Sequence, residues 1–391
     1  MPYYRRVGDV PRKRHTQHRR PDGGLYAEEL VGIEGFSHDS ALLYHRHLPT
    51  AIVDAVAVPE ADPGLAPNLP LLPAHYRTHD VPMDGDVDAV TGRRVLLGNG
   101  DVRLSYVAAT APSPLYRNAI GDEVLYVESG AGIVETSYGV LTVSEGDYVL
   151  LPTSTTHRVL PSGPDPLRLL VVAASGHVGP PRRYLSPRGQ FLEHSPYCER
   201  DVRGPEATFE VEGTDVDVLV RTRQGLTRYT YAHHPFDVVG WDGCNYPWVV
   251  SIHDFEPITG RLHQPPPVHQ MFEGPGFVVC SFVPRLFDYH PLSIPAPYNH
   301  ANVDSDEVLF YCGGDFMSRK GAGIGMGSVS LHPAGFTHGP QPGSVEASIG
   351  APSTAELAVM VDTFRPLEIG SAARAAEDPA YPWTWSGRSP R

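Results

Sequence analysis

The chain has 391 residues, 41% of them hydrophobic, and a formal net charge of −14, which is enough material for two domain-sized cores and the wrong sign for general nucleic-acid binding. No run of about 18 apolar residues occurs, so a helical membrane span is excluded. Four cysteines (Cys198, Cys244, Cys280, Cys312) form no CxxC pair, so neither a disulfide framework nor a zinc knuckle is expected.

The first twenty residues, MPYYRRVGDVPRKRHTQHRR, are basic but lack the apolar segment of a secretory signal, pointing to a soluble, cytoplasmic protein whose start is a solvated arm or an oligomer contact. GLYAEELVG (24–32) is a weak helical signal. Segments of strand length and period-two or buried-run patterning then recur: EVLYVES, GIVETSY, VLTV, DYVLLP, LRLLVVAAS, DVDVLVRT, FVVCSFVP, EVLFYC, SVSLHP and ELAVMVDTF. With 40 prolines and 39 glycines between and around them, long helices are disfavoured and the expected fold class is all-β. From about Gly370 the chain reads as a tail that packs on something or frays.

One pattern occurs twice. Asp122-Glu123-Val124-Leu125-Tyr126 is followed by Gly146-DYVLL-Pro152 and His157, and Asp306-Glu307-Val308-Leu309-Phe310 by Gly327-SVSLH-Pro333-Ala-Gly-Phe-Thr-His338. The two glutamates lie 184 residues apart (307 − 123) and the two closing histidines 181 (338 − 157), the self-similarity of a reused β unit. The spacing resembles the two cupin motifs, which implies a bicupin of two jelly-roll β-barrels with ligands at a barrel mouth. The expected segments are 1–50 as an N-terminal arm, 51–200 as a first cupin, 201–370 as a second and 371–391 as a C-terminal tail.

The second copy carries His300-x-Asn302-x4-Glu307 and His338. Two imidazoles and a carboxylate are the facial-triad set, which suits Fe(II) over zinc and leaves coordination positions open; manganese and nickel remain alternatives. In the first copy Tyr116 stands where His300 does, so Glu123 and His157 lack a third strong ligand and that copy is expected to be structural.

At GGLYAEELVG, LLYHRHLP, HPFDVVGWDG, APYNHANVDSDE, GSVSLHPAGFTHGP and VDTFRPL the chain resembles the homogentisate 1,2-dioxygenases, from about Gly24 to Pro366. The resemblance implies Fe(II) on His300, Glu307 and His338, a small aromatic diol and O2 as substrates, and a homo-oligomer, trimer or hexamer, with neither nucleic acid nor membrane as partner. The reaction implied for homogentisate opens its ring to maleylacetoacetate. His332 matches a substrate-contacting histidine. His263 falls where the acid–base residue is expected, with His269 as the alternative, and an imidazole suits that task because it titrates near neutrality. Phe316 occupies the position of a substrate-binding tyrosine, so Tyr298 or Tyr311 would have to replace the lost hydroxyl; Lys320 keeps the spacing of a cation that attracts an acidic arm. Two other readings follow from these departures: an enzyme for another hydroquinone-type aromatic, or a non-catalytic cupin that binds small molecules.

Overall fold

A computed structural model describes residues 3–83, 85, 87–316, 319 and 322–386. Strands carry nearly all of its regular structure. Among the described residues two α-helices occur, Ser344–Ser348 and Ser371–Ala375, as the density of helix-breaking residues requires, and no helix is long and apolar enough to cross a membrane.

The chain divides into two compact units, Met1–Ala61 with Met83–Arg93 and Val107–Ser251, and Asp62–Pro82 with Arg94–Tyr106 and Ile252–Arg391. In the first, Glu123–Ser129 lies between Asp147–Leu151 and Leu167–Ala174, antiparallel to both. Beside them runs a seven-stranded sheet from Gly139–Ser144 to Ile52–Val58. Alternate residues of these strands (Leu125, Val127, Val134, Leu141, Val149, Leu169, Val171) close into one buried apolar cluster, because side chains of period two point to one face. In the second unit a six-stranded antiparallel sheet has the order Gln270–Gly274, Phe277–Phe282, Leu357–Thr363, Asp306–Gly313, Ser328–His332, Ala74–Arg77. Both motif copies therefore lie on inner strands, paired antiparallel on both sides, the arrangement of a cupin-type fold.

Two expectations meet a different structure, and a third is narrowed. GLYAEELVG is a strand, Ala27–Gly32, whose pairing with Ser40–His45 overrides its weak helical propensity. Residues expected as a separate arm form strands of the first unit's four-stranded sheet, where Arg5–Gly8 pairs with Val238–Gly243, so 201–251 also belong to the first unit. Of the two alternatives for the tail, packing or fraying, its described residues pack: a short helix and the fully buried Tyr381 anchor it in the second unit.

The two motif copies use the same local devices. Asp122 accepts hydrogen bonds from the Thr153 and Val178 amides (2.7 and 2.8 Å), and Asp306 from the Ala334 and Leu367 amides (2.8 and 2.7 Å). Each aspartate thus pins two turns beside its glutamate. Ser154 sits at φ 68° where Gly335 sits at φ 76°; the serine copies a left-handed turn that glycine adopts without strain. The amides of these two residues bond to the Asn118 and Asn302 carbonyls, each at 2.7 Å.

Candidate metal centre

Glu307 is the second residue of the strand Asp306–Gly313, and antiparallel register sets its neighbours: His332 opposite it on one side and Asp362 on the other. Residues directly opposite share a face, so these three side chains form one row. His300 and His338 are joined by reciprocal backbone hydrogen bonds of 2.8 and 2.9 Å, which bring their rings to 4.3 Å between centroids. The result is that ligand atoms of His300, Glu307 and His338 all lie within 4.8 Å of one another, two residues buried and one partly so.

The tautomers suit a metal. Nδ1 of His300 donates to the Tyr298 carbonyl and Nδ1 of His338 to the Phe336 carbonyl, each at 3.1 Å. In the neutral rings both Nε2 lone pairs then face the Glu307 carboxylate, at 3.4 and 3.2 Å. Electron-rich atoms converging in this way call for a cation among them, and backbone carbonyls on the far nitrogens are the usual means of holding ligand imidazoles. Burial alone would raise Glu307, but its close contacts with the His300, His332 and His338 rings, of which His332 donates a hydrogen bond, hold it well below the usual carboxylate range. It is an anion ready to bind a divalent ion.

Behind the carboxylate stands His332, fully buried. Burial, and then the Arg319 charge, push its pKa down to about 3, so the ring is neutral. Its Nδ1–H donates to Glu307 Oε1 at 2.9 Å and its Nε2 accepts from the Tyr381 hydroxyl at 2.9 Å. His332 was expected to touch substrate; the structure places it between Glu307 and Tyr381, stacked on His338 at 4.1 Å, and it does not line the cavity below. Sequence reading missed Tyr381 altogether, although the aromatic run AYPWTW was a signal that the end of the chain packs.

In front of these three residues a cavity of about 390 Å³ opens, within the size range of small-molecule sites. Its wall is apolar at Phe282, Leu286, Ile294, Leu309 and Met360 and polar at Arg319 and Asp362. His263 lines it with Nδ1 held at 2.9 Å by Asp288 Oδ2, and its ring meets Tyr298 edge-on at 5.2 Å; Tyr298 itself is 59% exposed. His269 differs: burial, and then Arg285, push it down to about 3, its Nδ1 has no hydrogen-bond partner, and it packs on Phe282. Phe316 rests edge-on against Tyr311 at 4.9 Å. Tyr311 is buried, lines the cavity, and accepts a hydrogen bond from Arg319 Nε at 3.4 Å. Lys320 lies outside the described residues. Arg319, its neighbour in sequence, brings a buried guanidinium to the same cavity. Burial, and then Glu307, raise the Asp362 carboxyl to about 8.

The family model described as homogentisate 1,2-dioxygenase N-terminal matches residues 6–252. A protein of Saccharolobus solfataricus named "Putative dioxygenase" is 38% identical over 98% of this chain and 99% of its own length. The homogentisate 1,2-dioxygenase of Emericella nidulans is 25% identical over 92% of this chain and 82% of its own, and that of Caenorhabditis elegans 26% identical over 81% and 76%. Among solved structures, a cupin 2 conserved barrel domain protein from Leptotrichia buccalis aligns with 80% of this chain and 97% of its own at 9% identity and a TM-score of 0.30. With more than half of its residues inside the family model and a 38% identical relative along almost its whole length, the chain belongs to the homogentisate 1,2-dioxygenase family.

Proposed function

We propose that this protein is a non-haem Fe(II) dioxygenase that opens the ring of homogentisate, or of a closely related hydroquinone, with O2; for homogentisate the product is maleylacetoacetate. The observation that carries the reading is the convergence of His300 Nε2, Glu307 and His338 Nε2 at the edge of a cavity large enough for a substituted aromatic ring. These three residues would hold the ion. Bound there, Fe(II) supplies open positions at which a phenolic oxygen and O2 are brought together and their charge stabilised.

The remaining work falls to the chain's own side chains. His263 is the acid–base residue: Asp288 holds its Nδ1, which leaves Nε2 to take the phenolic proton and return it after ring opening. His269, neutral and packed on Phe282, has no such freedom. His332 donates to Glu307 and fixes its orientation, a positioning role. Arg319 offers the cation that an acidic arm needs, and Tyr311, bonded to it, carries the hydroxyl that Phe316 lacks. The apolar wall displaces water, which strengthens each of these polar contacts. Family membership also favours a homo-oligomer in the cytoplasm, for which light scattering on a sizing column is the check.

The experiment is O2 consumption by Fe(II)-reconstituted, ascorbate-protected protein given homogentisate, gentisate and unsubstituted hydroquinone in parallel, with ultraviolet detection of the ring-opened product. Uptake with homogentisate is the expected result. Bound iron with no uptake on any of the three diols would refute the reading and leave a binding protein.

A further inference from the structure

Asp362 is a carboxyl that the metal centre does not use. It lines the cavity, its side chain shares a row with Glu307 and His332, and its Oδ1 is buried with no hydrogen-bond partner. A buried carboxyl oxygen without a donor is costly and is rarely retained for structure alone. Structural aspartates in this chain look different: both oxygens of Asp306 and of Asp122 are bonded to backbone amides. The first motif copy supplies an internal control. There the same register line reads Leu151, Glu123, Ala173, so the equivalent of Asp362 is an alanine. A carboxyl at this point is thus not a requirement of the motif strands; it accompanies the copy that has the ligands and the cavity. Charge in the cavity points the same way. Among its lining residues are five carboxyl groups (Asp288, Glu307, Asp315, Glu356, Asp362) and two guanidiniums, one of which, Arg285, is already bonded to Glu356 at 3.2 Å.

We propose that Asp362 determines specificity by accepting a hydrogen bond from a hydroxyl or amino group on the ring side chain of the substrate, so that this enzyme's preferred diol carries such a donor. The inference rests on the reading of this cavity as the site of ring cleavage and narrows its substrate class.

The test is anaerobic calorimetric titration of the Fe(II)-loaded protein with hydroquinone, hydroxymethylhydroquinone and aminoethylhydroquinone, with iron content measured on the same samples. Wild type is expected to bind the two donor-bearing diols about tenfold or more tightly than hydroquinone, the worth of a hydrogen bond to a buried carboxyl. Asp362→Ala, which installs the first copy's residue, should abolish that preference while leaving iron content and hydroquinone affinity unchanged; Asp362→Asn should keep the preference for the hydroxymethyl compound. Equal binding of all three diols by wild type would overturn the proposal, as would loss of iron from Asp362→Ala. O2 uptake is followed separately: donor preference without ring opening of any diol leaves Asp362's role standing and removes the dioxygenase reading, whereas ring opening without donor preference does the reverse.

Discussion

The two motif copies solve one problem in two ways. Each buries a glutamate at the start of a central strand, and a buried carboxylate needs a positive partner. In the second copy the glutamate faces two imidazole nitrogens and a cavity, the setting for a metal. In the first, Arg93 supplies the charge directly: its guanidinium meets Glu123 in a two-pronged contact at 2.8 and 3.1 Å, both side chains almost wholly buried. Burial would raise Glu123, and the Arg93 charge holds it low. Asn118 donates to the same carboxylate at 3.0 Å, as Asn302 does to Glu307 at 3.4 Å. Tyr116 and His157 stand edge to face at 5.5 Å, and His157 Nε2, the counterpart of His338 Nε2 in the proposed ligand set, is buried without a partner. The motif is therefore a scaffold for a buried anion, with a guanidinium beside it in one copy and two imidazoles and a cavity beside it in the other.

The strongest way to break this contrast is to remove a ligand. Glu307→Ala or His338→Ala should lose both bound iron, by atomic absorption, and O2 uptake; a variant with normal turnover would strike that residue from the set. Next comes the first copy's own cation. Arg93→Met strands Glu123 in the interior and should destabilise the protein by about 3–5 kcal/mol in urea unfolding, with iron per chain unchanged in the folded fraction.

A third buried carboxylate extends the comparison. Asp237 bonds His45 Nδ1 at 2.6 Å, and Glu29 bonds its Nε2 at 2.9 Å. Burial works against the charged ring, yet the two carboxylates raise it from 6.5 to about 9. Because the folded pKa lies above the unfolded one, the stabilisation is complete below about pH 6.5 and is lost as the pH rises through about 9. Its size is on the order of 3 kcal/mol, from the shift at 1.36 kcal/mol per unit. His45→Gln should accordingly be much less stable than wild type at pH 6 and close the gap above pH 9; a gap independent of pH would show that the ring's charge is not what stabilises.

Smaller effects sharpen the same contrast. His332→Leu gives the second copy the residue of the first, Leu151, and should weaken iron binding by about 10–100-fold through the lost hydrogen bond to Glu307, measured by chelator competition. His157→Ala should leave the iron content untouched. A fall from two irons per chain to one would mean that the first copy binds metal after all.

How much of this was legible in the sequence follows from the range of the contacts. The strands were readable because alternation is local, and every patterned segment from EVLYVES to ELAVMVDTF is a strand. The three proposed ligands were readable because a repeated motif spaces them. Arg93 was not: it sits 30 residues before Glu123 with nothing in its neighbourhood to mark it. Asp288 is 25 residues from His263 and Tyr381 is 49 from His332, so both partnerships exist only once the chain has folded. His332 shows the reverse case. Its spacing suggested a contact with substrate, but strand register turned the ring toward Glu307 and packed Tyr381 over it.

By itself, then, the sequence determined the fold class, the duplication and the imbalance between the copies, since these depend on residue order over short distances. Tertiary structure decided which charge meets which carboxylate. Antiparallel register put His332 and Asp362 on either side of Glu307 but Leu151 and Ala173 beside Glu123, so Glu307 is bonded by His332 from its own sheet while Glu123 takes its partner from Arg93, because a charge removed from water is stable only beside its complement.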